Sequence, residues 1–99
     1  NKRKIMMKSG VYLIKCPYDG VTMLKIGFSN DVPKRIKTHY TSNTLMEPIG
    51  YIATDMYKQL EKDLHHRCRS FKYKTEFFFY KEQIVDHFKN HEDFISLEK

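Results

Sequence analysis

"GVYLIKCPYDGVTMLKIGFS", residues 10–29, decides the fold. Residues 10–16 are rich in β-formers and read as a strand. Residues 17–20, Pro-Tyr-Asp-Gly, carry turn chemistry: proline fixes one φ angle, and Asp-Gly tolerates positive ones. Residues 21–29 read as the return strand, so the stretch predicts an antiparallel hairpin. The segment that follows, "NDVPKRIKTHY" at 30–40, turns basic and helical. Asn30 or Asp31 can cap that helix and Pro33 suits its first turn. Val32, Ile36 and Tyr40 recur every four residues and should face the sheet.

Outward from there, 47–55 alternates as a third strand. A second helix is predicted over about 55–71, with Asp55 as its cap and Tyr57, Leu60, Leu64, Cys68 and Phe71 as its apolar stripe. "TEFFFY" at 75–80 is a short strand or extended segment, and 81–91 gives a third helix through Ile84, Val85 and Phe88. The order ββαβα(β)α implies an α+β domain: a small three- or four-stranded antiparallel sheet flanked by helices. The domain is expected over 10–91, between a basic N-terminal extension (1–9) and a peripheral tail (92–99).

Ninety-nine residues leave room for one core. Without a long apolar run the chain carries no membrane-span pattern. Cys16 and Cys68, its only cysteines, read as buried reduced thiols of an intracellular protein, cytoplasmic or nuclear. His65 and Cys68 form H-x-x-C, half of a zinc site whose second pair is absent from the sequence pattern. The net charge is +6, and it is lopsided: residues 1–40 hold nine Lys or Arg against Asp19 and Asp31. A one-sided basic field suits a polyanion such as nucleic acid, although a basic protein without such a partner has the same composition. Arg35 and His39, four apart, share one helix face. That face is either simply solvated or a grip for a phosphate.

The motif order favours the grip. "GVY" at 10–12 followed by "KIG" at 25–27 resembles the paired motif of the GIY-YIG nuclease superfamily. Arg35, eight residues after Gly27, stands where that superfamily places its arginine. "LEKDLHHRCRSF" at 60–71 resembles the helix that supplies its glutamate, here Glu61. "TEFFFY" resembles the close found in a branch from phages, large DNA viruses and fungi, whose second motif commonly reads KIG. The likeness spans about 10–80.

The resemblance implies a GIY-YIG-like fold and a DNA endonuclease that hydrolyses phosphodiester bonds with one divalent cation, Mg²⁺ or Mn²⁺, at Glu61. The implied catalytic set is Tyr12, Lys25, Arg35, His39 and Glu61. Tyr12 would accept a proton from the attacking water or orient it. A free phenol titrates near ~10, and the charge of Lys25 and Arg35 is expected to lower it. Tyr12 and Lys25 should lie in neighbouring rows of one sheet face. Arg35 offers phosphate a planar fork that a lysine cannot reproduce. His39 can bind phosphate or move a proton. Gly27 should allow a close approach. Glu61 lies about 60° from the centre of its helix's apolar stripe, where it can look into a cleft or pair with Lys58 or His65. Glu76 is a second carboxylate candidate, or else an anchor for 75–80.

Lys8, Lys15, Lys25, Lys34, Arg35 and Lys37 are the expected DNA-facing cations, with Lys2, Arg3 and Lys4 adding charge at the extension. Sequence preference would come from a fused or separate specificity domain. The competing readings are a DNA-binding module that keeps the fold without cutting, and a protein-interaction domain using exposed aromatics. The run Phe77–Tyr80 reads as core before it reads as a base-stacking platform.

Overall fold

Asp19 and Gly20 take φ angles of 53° and 77° and close a two-residue turn between β1 (Gly10–Tyr18) and β2 (Val21–Ser29). Positive φ at both positions gives the turn a twist that matches the strands it joins. The hairpin is the centre of a computed structural model that describes residues 7–98. Lys2, Arg3 and Lys4 of the expected extension lie outside the described residues.

Helix α1 (Val32–Ser42) follows, with Pro33 in its first turn. The Lys34 N–H donates to the Asp31 carboxylate at 3.2 Å, so Asp31 is the cap. Strand β3 (Glu47–Ala53) then pairs with β1 on the side away from β2. Helix α2 (Tyr57–Arg67) starts two residues later than expected. Asp55 does not cap it; Met56 takes that place, and its N–H donates to Thr54 Oγ1. The helix also ends early, tightening into a 3₁₀ turn over Arg69–Phe71 that still brings Phe71 against the core.

The sheet is larger than the sequence suggested. Its six antiparallel strands run β4-β5-β2-β1-β3-β6, where β4 is Lys72–Lys74, β5 Phe77–Phe79 and β6 Phe94–Ser96. Strand β5 lies within 75–80, as expected; β4 and β6, three residues each, are too short to carry an alternation that a sequence pattern can register. Residues 92–98, expected as a peripheral tail, supply β6, which pairs with β3. Helix α3 (Glu82–Lys89) lies between β5 and β6 in the chain.

Alternation along the strands sorts the core into two layers. Val11, Leu13, Leu24, Ile26, Ile52 and Phe78 pack with Leu64 of α2, with Cys68 just past its end, and with Ile84, Val85 and Phe88 of α3. On the other face Tyr12, Ile14, Cys16, Tyr51 and Ala53 pack with Val32 and Ile36 of α1. Both cysteines are free and buried, one in each layer.

Tyr40 does not face the sheet; it is 50% exposed. A four-residue step overshoots a helical turn by about 40°, so by the second step the register has drifted by about 80°. His39 turns inward in its place.

Candidate active site at the edge of β2

Strand β5 covers β2 only through Met23, Leu24 and Lys25. Beyond Lys25 the ladder ends with one further bond, from the Ile26 N–H to the Glu76 carbonyl at 3.1 Å. The Ile26 carbonyl is met instead by His65 Nε2 of α2, also at 3.1 Å. Around this edge the candidate residues of both sheet faces meet.

Tyr12 lies opposite Gly27, and Ile14 lies opposite Lys25. Tyr12 and Lys25 therefore point from the same face, two rows apart. The Tyr12 side chain is almost wholly buried, and its phenol lies across Gly27, where a Cβ would overlap the hydroxyl and the ring. The close approach that Gly27 permits is thus Tyr12's own. The hydroxyl is 3.2 Å from His39 Nε2, with the two rings edge to face.

Burial raises the Tyr12 pKa, and the Glu76 carboxylate raises it further; a hydrogen bond and the charge of Arg35 pull it down by less, and Glu61 adds a smaller rise. The expected lowering by surrounding cations is corrected accordingly. Arg35 acts in the expected direction, but desolvation and two carboxylates outweigh it. His39 is lowered, first by burial and then by Lys25 and Arg35, against a smaller rise from Glu76. At neutral pH a phenol and an uncharged imidazole therefore share the 3.2 Å contact.

Arg35 is exposed on the flank of α1 beside Tyr12, and among the described residues no carboxylate pairs with it. Lys25 is mostly enclosed: its ammonium is 3.6 Å from Glu76 and lies over the Phe77 ring.

Glu61 reaches the edge from α2, on the opposite side of the sheet. Its side chain is only 17% exposed, and Oε2 is 3.3 Å from His65 Nε2. Because a carbonyl and a carboxylate both face that nitrogen, Nε2 carries the proton. The pairing with His65 is thus real, but it is half-buried and aims at the β2 edge. Burial raises the Glu61 pKa; His65 lowers it by less, Glu76 raises it and Lys72 lowers it.

Glu76 is an anchor whose carboxylate also lies near the site. Its backbone anchors β5 on Ile26, and its carboxylate affects Tyr12, His39 and Glu61 at once. Thr75 before it, with φ at 50°, forms the tight β4–β5 connection that turns Glu76 to this edge. Sequence reasoning missed Lys72 and undervalued His65. The i,i+4 spacing of Glu61 and His65 was the signal for the latter.

Other expected cations lie elsewhere. Lys15 alternates onto the α2–α3 face, 3.5 Å from Glu47 and over the Tyr80 ring. Lys15 also lines, with Lys8, Lys34, Lys37 and Tyr40, a groove that runs from α1 to α3, away from the Tyr12 hydroxyl. Cys68, the expected half of a zinc pair with His65, is buried in the core, which raises its thiol pKa.

With this geometry in place, the family comparison is decisive. Residues 9–93 match the T5orf172 domain. The chain belongs to the T5orf172 domain family. That domain is a GIY-YIG-related, nuclease-like domain, and the match takes in every candidate residue at the β2 edge. No curated protein and no solved structure matches the chain.

Proposed function

We propose that this T5orf172 domain is a divalent-metal-dependent DNA endonuclease of the GIY-YIG type, in the branch with a KIG second motif. One observation carries the reading: Tyr12, Lys25, Arg35, His39, Glu61 and Glu76, drawn from four elements and the β4–β5 turn, converge where β2 emerges past β5.

The residues divide the work of cutting a phosphodiester. Tyr12 orients the attacking water and takes its proton while passing its own to His39 Nε2. A buried phenol that stays protonated is a poor base by itself, and the lowered imidazole beside it is the acceptor it needs. Arg35, which pairs with no carboxylate among the described residues, sets its guanidinium fork on the oxygens that gain charge. Lys25 adds a second cation, released from Glu76 when a phosphate arrives.

The carboxylates fit a hard cation. Glu61 is an enclosed oxygen donor whose charged form is disfavoured by burial and by Glu76, a situation that a bound cation relieves. Among the described residues no three His, Cys, Asp or Glu side chains converge to hold a metal. Mg²⁺ suits such a sparse set, because it takes one or two carboxylates and completes its shell with water and phosphate oxygens. Glu61 is the ligand, with Glu76 nearby. When bound, the cation supplies Lewis-acid neutralisation of the scissile phosphate.

Supercoiled plasmid incubated with the protein, with and without Mg²⁺ or Mn²⁺, tests the reading. Conversion to nicked or linear DNA is expected only with metal, and an Arg35→Ala variant should lose it. DNA binding without cutting under every condition would leave a non-catalytic binding module as the better description.

A further inference from the structure

The face that carries Tyr12 and Lys25 does not end at the catalytic edge. It continues toward the β1–β2 turn, and there its composition changes to open aromatic rings. Tyr18 stacks tilted on Phe77 with centroids 4.3 Å apart. Tyr73 stands edge-on to Tyr18 at 6.0 Å and to Phe79 at 5.4 Å. Helix α1 packs over Tyr12 and Ile14. Among the described residues no helix covers the turn end, and Tyr73 and Phe79 stay 41% and 43% exposed. The array is fixed: the Tyr73 hydroxyl donates to Asp19 Oδ2 at 2.8 Å, tying β4 to the turn.

We infer that this ring array is a stacking platform for unpaired bases, and that the preferred substrate is DNA with a single-stranded segment beside the scissile bond rather than a continuous duplex. The inference rests on the nuclease reading for the chemistry and on the platform alone for the substrate. Three observations select nucleic acid as the occupant. The patch is made of rings rather than aliphatic side chains, and every base offers a π-face to stack on them. Its outer strand, β4, adds a cation on the same face: Lys74 is the cross-strand partner of Phe77, is exposed, and forms no ion pair among the described residues. The platform also joins the catalytic residues directly, because Phe77 is the cross-strand partner of Lys25 and lies under its ammonium. A strand stacked on Tyr73, Phe79 and Tyr18 would therefore run past Lys25 toward Tyr12. A base inside a continuous duplex cannot stack this way, since both of its faces are already covered.

Binding in EDTA tests this without any need for cleavage. The probes are a fluorescein-labelled duplex with a single-stranded flap and a blunt duplex of the same paired sequence. The wild-type chain should prefer the flap by roughly tenfold or more, the scale of one or two stacked bases. Tyr73→Ala combined with Phe79→Ala should remove most of that preference while thermal unfolding confirms the fold. Tyr73→Phe keeps the ring, gives up the bond to Asp19, and should keep the preference. Equal binding of the two probes by wild type, or an unchanged flap preference in the double variant, overturns the proposal. So does a dimer in sedimentation that Phe79→Ala dissociates, since the rings would then be covered by a second copy. A retained flap preference in a protein that never cuts plasmid supports the platform and counts against the nuclease reading alone.

Discussion

The two faces of the sheet follow different rules. The face under α2 and α3 is apolar and closed: Leu24, Ile26, Phe78 and Phe88 are each fully buried among apolar residues. The face under α1 buries Tyr12, half-buries His39, encloses Lys25 and leaves Tyr73 and Phe79 open. One layer is built for stability and the other keeps polar groups where burial shifts their pKa values. Glu61 bridges the two, rooted on the closed side and acting at the open edge. The contrast predicts that substitutions on the two faces fail in different ways.

Glu61→Gln should have the largest effect on function. It keeps the shape and the acceptor for His65 Nε2 but removes the charge that a hard cation needs. Cleavage should fall below detection while DNA binding in EDTA is unchanged. Without metal the variant should melt no lower than wild type, because the carboxylate it replaces is one whose charged form burial disfavours. A clear loss of thermal stability in metal-free buffer would make Glu61 a structural residue. Anomalous density from a Mn²⁺ soak at His65 and Cys68, away from Glu61, would move the site.

Phe88→Ala probes the closed face. A fully buried ring there should cost about 3–5 kcal/mol of stability on removal. Any activity lost should return with the folded fraction on cooling, as followed by circular dichroism beside the cleavage assay. Arg35→Lys is its counterpart on the open face. Charge is kept and the bidentate fork is lost, so cleavage should drop by roughly 10²-fold with little change in melting or in DNA affinity. Equal rates for Arg35→Lys and wild type would break the distinction between the faces.

The degree to which each face was legible in the sequence follows from the same contrast. The hairpin, α1 and the apolar stripe of α2 could be read because each is long enough to display its period; Val32 and Leu64 are buried as expected. Strand β5 falls inside 75–80, read as a short strand or extended segment, whereas β4 and β6 were invisible, since three residues show no alternation. Among the site residues, types and order could be read but environments could not. The cations near Tyr12 were countable from sequence, whereas its burial and the approach of Glu76 depend on how Thr75 turns the chain. Lys15 shows the reverse case, a cation near the motif in sequence that alternation carries to the other face.

His39 gives a smaller, graded effect. Its role as proton acceptor requires the uncharged ring, and its pKa lies below the ordinary imidazole value of about 6.5. The cleavage rate should therefore stay level as pH falls to about 6.5 and decline only below it, approaching about tenfold per pH unit once His39 is mostly charged. The stability term has the same sign. The unfolded chain binds a proton at this position before the folded one does, so folding weakens as pH drops from the ordinary value through the lowered one. His87, lowered mainly by burial, adds to that trend from the other layer. Rates measured at saturating DNA alongside melting curves separate the two. His39→Gln should remove the acid limb of the rate and leave part of the stability loss. An acid limb that persists unchanged in His39→Gln would assign it to another group.

Lys15→Gln should have the smallest effect and is the sharpest test of the assignment of faces. In sequence Lys15 lies three residues from Tyr12 and belongs to the basic half of the chain, so counting charge alone would give it a phosphate. In the fold it points to the α2–α3 side, 3.5 Å from Glu47, with 42% of its side chain exposed. An exposed pair of this kind contributes about 0–1 kcal/mol to stability, and its loss is largely screened at ordinary salt. Lys25→Gln, from the open face, should reduce both affinity and the steepness with which affinity falls as salt rises, because one phosphate contact and its released counterion are gone. Lys15→Gln should leave that slope unchanged within error. If the two variants flatten the slope equally, DNA wraps past the hairpin onto the closed face, and the division between a stability layer and a reactive layer fails at its boundary.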